Sequence, residues 1–148
     1  GHRLSGTTLE KSLSIAGGVT SESLAKDVSR LIDEEAWFKL LAVQSGDSGA
    51  VRHGASRLRI HPQVLFRLTV AREQRQELYR HTLCVMMISH YLALRLSLKQ
   101  SSIDNVLLAA LCHDLGELYT DPAILAPGYR VTDEERRFIY VHGFVGVG

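Results

Sequence analysis

The sequence is poor in residues that break helices and in patterns that build sheets. Only three of its 148 residues are proline, and runs of β-branched residues are scarce. This argues against a strand-rich fold and fits a helical composition led by 22 leucines. Two cysteines cannot supply a disulfide framework. Cys84 and Cys112 both lie in apolar surroundings and read as buried thiols of a reducing compartment. Neither has the CxxC-type spacing of a zinc-thiolate site. No apolar run approaches the roughly 20 residues that span a bilayer, and the N-terminus lacks the basic start and apolar stretch of a signal peptide. The expectation is a cytoplasmic protein with no membrane partner. Net charge is only +1, which gives no global electrostatic reason to expect nucleic acid. The short basic stretch Arg52, His53, Arg57, Arg59, His61 has no interleaved aromatic residues and reads as a solvated loop face. Internal repeats and low-complexity tracts are also missing.

What is present suits a folded domain: 45% of the residues are apolar and 22% charged. Residues 1–20 are rich in Ser, Thr and Gly, with one short helix expected around 9–15. Leu24, Val28, Leu31 and Ile32 fall at helical spacing, and Trp37, Phe38, Leu40 and Leu41 extend the apolar content, so one helix is predicted over 21–43. Gln44–Ser56 has no periodicity and reads as a loop or linker. Pro62 suits the first position of a helix that turns polar through AREQRQE. Residues 78–98 are apolar on almost every face, as in a central helix of a bundle. Ser101-Ser102 is expected to break and cap, and a second apolar helix is predicted over 103–115, ending near Gly116. Thr132 to Glu135 has the form of a capping box opening a last helix with Phe138, Ile139, His142 and Val145. The organisation expected is an N-terminal helical extension and linker over 1–60 and a helical domain over 61–148.

The core stripe of the second apolar helix is Ile103, Val106, Leu107, Ala110, Leu111, and the same spacing lands on Asp114. A carboxylate on a core-facing stripe is costly unless it is paired, hydrogen-bonded or metal-bound. His113 stands beside it at the end of the helix. On the preceding helix, Leu78, Val85, Ile88 and Leu92 define a stripe on which His81 lies, and on the last helix His142 lies one turn from Phe138. Three histidines and an aspartate thus take inward positions on helices expected to pack together. A lone buried histidine is ordinarily a neutral imidazole bonded to a carbonyl; convergent groups instead suggest a shared metal site. His90 falls off the His81 stripe and is expected to be structural or exposed. Trp37 and Phe38 read as core or interface.

His81 followed by His113-Asp114 in ALCHDLGE resembles the HD superfamily of metal-dependent phosphohydrolases. The stretch HDLGELYTDPAILAPGYRVTDEERRFIYVHGFVG is similar to the HD-GYP subfamily, whose usual form runs HDIGK, IPD-x-IL, KPG-x-LT-x-EE and HP-x-x-G. Ala123-Ile124-Leu125, Thr132 to Glu135 and Gly146 match in order, and the resemblance covers about residues 75–148. It implies an all-α bundle of the HD-domain type that hydrolyses a cyclic dinucleotide, cyclic di-GMP, by attack of a metal-activated hydroxide on phosphorus. It further implies a centre of two or more divalent ions, iron or manganese, with His81, His113, Asp114 and His142 as ligands, Asp114 bridging, and His113 and Asp114 central to catalysis. The alternatives are another nucleotide phosphohydrolase or a catalytically degenerate signalling module that binds a ligand or protein.

Several residues depart from that pattern. Glu117 stands where the family has a Lys that helps hold substrate phosphate, and is either an extra ligand or a block to phosphate. Cys84 stands where the first motif often has Arg. Gly143 follows His142 in place of Pro, and Asp121-Pro122 inverts the usual order. The subfamily's later His-His and GYP motifs are not among these residues. The N-terminal helices are the expected contact for a second copy of the chain or a signalling partner.

Overall fold

The computed structural model of the chain describes residues 17–119, 130 and 132–134. The expected short helix at 9–15 and the last helix with His142 lie outside the described residues. Over residues 17–119, six helices and two 3₁₀ turns follow in order: α1 (Ser21–Glu34), α2 (Ala36–Gln44), α3 (Ser48–His53), a turn at Gly54–Arg57, α4 (Pro62–Gln74), α5 (Gln76–Arg95), α6 (Gln100–Cys112) and a turn at Leu115–Tyr119. The described residues include no strand, and the all-α expectation holds.

α1 starts at a reciprocal capping box. The Thr20 hydroxyl accepts from the Ser23 amide at 3.1 Å, and the Ser23 hydroxyl accepts from the Thr20 amide at 2.8 Å. Leu24, Ala25, Val28 and Ile32 then face the core. The single helix predicted over 21–43 is two. Continued straight, α1 would carry Glu35 and Lys39 onto its buried face. The chain instead becomes extended at Glu35 (φ −114°, ψ 113°), and α2 restarts with Phe38 and Ala42 inward. The segment expected as a loop at 44–56 is also ordered. Gly46, with φ +84°, supplies the left-handed residue after α2. Asp47 then caps α3 by accepting from the Ala50 amide at 2.9 Å, and Val51 and Ala55 reach the core.

Pro62 occupies the first turn of α4, and Nδ1 of His61 accepts from the Gln63 amide at 3.2 Å. Arg75 alone separates α4 from α5. The basic stretch around residue 55 is largely committed to structure. Arg52 binds Ser29 and pairs with Asp33 at 2.7 Å, while Arg57 lies 3.6 Å from Asp104.

α5 corrects the sequence reading most. Its buried face is Leu78, Tyr79, Thr82, Leu83, Met86, Met87, His90 and Ala93. Of the stripe predicted to point inward, Leu78 is buried, but His81, Ile88 and Leu92 are exposed. A helix apolar on every side offers more than one stripe, and the one chosen here contains two polar residues, Thr82 and His90. Leu96–Lys99 folds α5 back on α6 as an antiparallel hairpin. α6 begins at Gln100, so Ser101 and Ser102 lie inside it and do not cap it. Its stripe is as predicted: Ile103, Leu107, Ala110 and Leu111 are buried and Val106 is half-buried. Buried residues from Val19 to Leu115 form one hydrophobic cluster. No helix among the described residues is long and apolar enough to cross a membrane.

His90 is only 3% exposed, and its Nε2 has no hydrogen-bond partner. Its ring lies directly over Gly54, where an added Cβ would overlap Cε1. Gly54 is therefore required by close approach, and α3 with its following turn is seated on α5 through this contact. Burial pushes the imidazole below its ordinary value of 6.5. Arg57 acts in the same direction, and Asp104 and Asp47 act against it.

Two outcomes are expected. Gly54→Ala should cost about 1–3 kcal/mol by overpacking. Combining it with His90→Ala should remove most of that penalty in a double-mutant cycle of urea unfolding. The second outcome concerns pH. The unfolded chain takes up a proton on His90 before the native chain does, so the native state is favoured fully above pH 6.5 and loses stability as pH falls below it. The difference in unfolding free energy between wild type and His90→Gln should shrink across that window. A difference constant from pH 7.5 to 5 would contradict the assignment.

Candidate metal centre

Three of the residues singled out in the sequence meet at the open end of the α5–α6 hairpin. His81 projects from the second turn of α5. His113 is the C-terminal cap of α6, and Asp114 follows it. Leu111 and Leu115 are completely buried on either side, so the chain is fixed where helix gives way to turn. The Glu117 amide donates to the Asp114 carbonyl at 2.9 Å and closes that turn.

The side chains converge on one atom. Oδ2 of Asp114 lies 2.8 Å from Nε2 of His113 and 3.2 Å from Nε2 of His81. The two rings are 5.7 Å apart and inclined at 44°. Side-chain exposure falls from 57% for His81 to 34% for His113 and 17% for Asp114, so the carboxylate forms the floor and the imidazoles the accessible wall.

The chemistry of this donor set tests whether a cation belongs here. Nδ1 of His113 is 2.6 Å from the Ala110 carbonyl, one turn back in α6. A carbonyl can only accept, so Nδ1 carries a proton and donates, and the neutral form of the ring has its lone pair on Nε2. That lone pair faces a carboxylate oxygen and a second imidazole nitrogen. One ligand atom from each residue lies within 4.8 Å of the other two. Electron pairs held this close repel unless a proton or a metal ion sits with them. Two imidazoles and a carboxylate are a donor set suited to a divalent first-row ion. The residues present therefore fit a metal.

His81 belongs to the centre although its predicted inward direction is wrong: it reaches Asp114 from the accessible side. His142 lies outside the described residues. Glu117 is not in the cluster, and its backbone carbonyl accepts from Nη1 of Arg75 at 3.3 Å. Cys84 and Cys112 are free thiols outside the cluster, and burial pushes both above the ordinary thiol value. Sequence reading missed the Ala110 carbonyl and Arg75. Backbone groups carry no residue-type signal, and Arg75 is one of three arginines in the polar run 71–80.

The family model of the HD domain matches residues 78–147. No curated protein and no solved structure matches the chain. The match begins at the first buried leucine of α5, spans the hairpin and includes His81, His113 and Asp114. Residues 78–147, just under half of the chain, are thus similar to the HD domain, and within them lies a His-His-Asp cluster suited to a divalent ion.

Proposed function

We propose that this chain is a metal-dependent phosphodiesterase whose substrate is a cyclic dinucleotide. The observation that carries the reading is the convergence of two imidazole nitrogens on one carboxylate oxygen within a segment that matches the HD domain. His81, His113 and Asp114 would hold the ion, iron or manganese, and His142 is proposed as a ligand for a second one. The chemistry such an ion supplies when bound is polarisation of a phosphoryl oxygen and a lowered pKa for water.

The chain's own residues provide orientation. The Ala110 carbonyl holds the Nδ1 proton of His113 and so fixes which nitrogen faces the centre. Asp114 lines the floor with its carboxyl group, and the exposure of His81 leaves the outer side open to a substrate. The preference for a cyclic dinucleotide rests on the likeness of residues 113–146 to the HD-GYP pattern.

A second reading, a signalling module that binds ligand without turnover, is favoured by two residues. Glu117 places a carboxylate where that pattern has a lysine, and Cys84 replaces an arginine, so two cations that would meet phosphate are absent from those positions. Either reading suits a cytoplasmic protein that meets a second copy or a partner through its N-terminal helices.

The whole chain should bind Mn²⁺, and Asp114→Ala should abolish that binding while keeping the helical circular dichroism signal, because the apolar stripes supply the packing. Elemental analysis of metal-supplemented, reduced protein that finds no metal would contradict the proposal. With Mn²⁺ bound, cyclic di-GMP should be opened to the linear dinucleotide. Tight binding of cyclic di-GMP with no product would select the signalling module; turnover of mononucleotides alone would select a different phosphohydrolase. Glu117→Lys separates the two roles of that residue. Tighter dinucleotide binding that weakens with salt marks a block to phosphate, and lower metal content marks a ligand.

A further inference from the structure

The α5–α6 hairpin is closed at one end and open at the other. Its connection, Leu96–Lys99, lies roughly 22 Å of helix from His81, at 1.5 Å rise per residue. The ligating residues therefore sit where the two helices are least constrained by the chain that joins them. His81 belongs to one arm, and His113 and Asp114 to the other. A displacement of about 1 Å between the arms is enough to spoil a constellation of this kind. Something at the open end must hold the arms in register.

Arg75 is placed to do this. Its backbone forms the junction of α4 and α5. The amide donates to the Ala71 carbonyl at 2.8 Å, ending α4, and its carbonyl accepts from the Tyr79 amide at 3.0 Å, starting α5. Its position is thus fixed relative to His81, which lies less than two turns farther along. Its side chain crosses to the other arm, where Nη1 donates to the Glu117 carbonyl at 3.3 Å. That carbonyl belongs to the residue whose amide bonds back to the Asp114 carbonyl, so the contact falls on the same turn that presents Asp114. α4 packs against this turn, and Leu115 within it is completely buried.

We propose that Arg75 is a positioning residue for the His81–His113–Asp114 centre. It acts as a clasp between the start of α5 and the turn after α6, and sets the distance between ligands from the two arms. The proposal deepens the metal reading above and rests on it for its functional consequence. The acceptor of this bond is a backbone carbonyl, which any residue at 117 supplies. The clasp needs a donor on a long side chain at 75, which lysine also has and methionine lacks.

The test compares wild type, Arg75→Met and Arg75→Lys as whole chains, in two measurements. The first is amide hydrogen exchange of metal-free protein. Arg75→Met should speed exchange at the Glu117 amide roughly five- to tenfold, the loss expected when one hydrogen bond no longer holds the turn, while the α1 amides keep their protection. Arg75→Lys should restore much of it. Exchange at Glu117 unchanged in Arg75→Met overturns the clasp, whatever the metal does. The second is Mn²⁺ titration followed by electron paramagnetic resonance. Arg75→Met should weaken binding about 10- to 100-fold, as loss of residues that orient ligands does, with a thermal midpoint close to wild type and partial recovery in Arg75→Lys. Affinity equal to wild type in Arg75→Met overturns the positioning role. Wild type that binds no Mn²⁺ overturns the metal reading instead, and with it the functional consequence of the clasp.

Discussion

One carboxylate oxygen organises this molecule's chemistry. Oδ2 of Asp114 is approached by Nε2 of two histidines from different helices, at 2.8 and 3.2 Å. Asp114 sits at the end of the apolar stripe that anchors α6, where a lone carboxylate would be a liability. The cost is offset when hydrogen-bond donors or a cation stand with it. The surrounding structure serves that requirement. Leu111 and Leu115 fix the turn, the Ala110 carbonyl sets the His113 ring, and α5 brings His81 alongside.

How far the residues alone foretell this depends on whether a pattern has one solution. α6 has one apolar stripe, so its buried residues and the place of Asp114 at its end are legible from spacing. α5 is apolar all round, and periodicity cannot choose among its faces. The buried face contains Thr82 and His90, which hydropathy counts against it, while Ile88 and Leu92 stay on the surface. The predicted stripe gives His81 the wrong direction, yet His81 still belongs to the site, because a ligand needs to reach Asp114 and does not need to be buried. The break at Glu35 is invisible for a related reason. No Gly or Pro marks it, and its cause lies in where Phe38 finds a core. The ordering of 48–57 comes from the Asp47 cap and from Gly54 meeting His90, a contact 36 positions away in sequence.

The near-zero net charge also has a structural counterpart. Arginines are matched locally by carboxylates from other turns or helices: Arg30 with Asp27, Arg52 with Asp33, Arg80 with Glu35. A groove of about 430 Å³ between α1, α4 and α5 is lined by Arg30, Arg72 and Arg80, but each has a carboxylate within 3.1 Å. Arg30–Asp27 and Arg72–Glu73 each lie within one helix, while Arg80–Glu35 joins α5 to the junction of α1 and α2. Tyr79, buried in the same region, donates to Asp27 at 2.6 Å, and burial and that carboxylate push its phenol far above the ordinary range. Among the described residues, the His-His-Asp trio is the one cluster arranged to hold a metal ion.

The central claim is that a metal ion, and not a proton alone, satisfies the electron pairs facing Asp114. Long-range nitrogen–proton NMR of the histidine rings, recorded without metal and with diamagnetic Zn²⁺, addresses this at the atoms concerned. Zn²⁺ should move Nε2 of both His81 and His113 to the position of a coordinated nitrogen, while Nδ1 of His113 keeps its proton on the Ala110 carbonyl. Ring nitrogens that titrate with pH in the same way with and without the ion would contradict it.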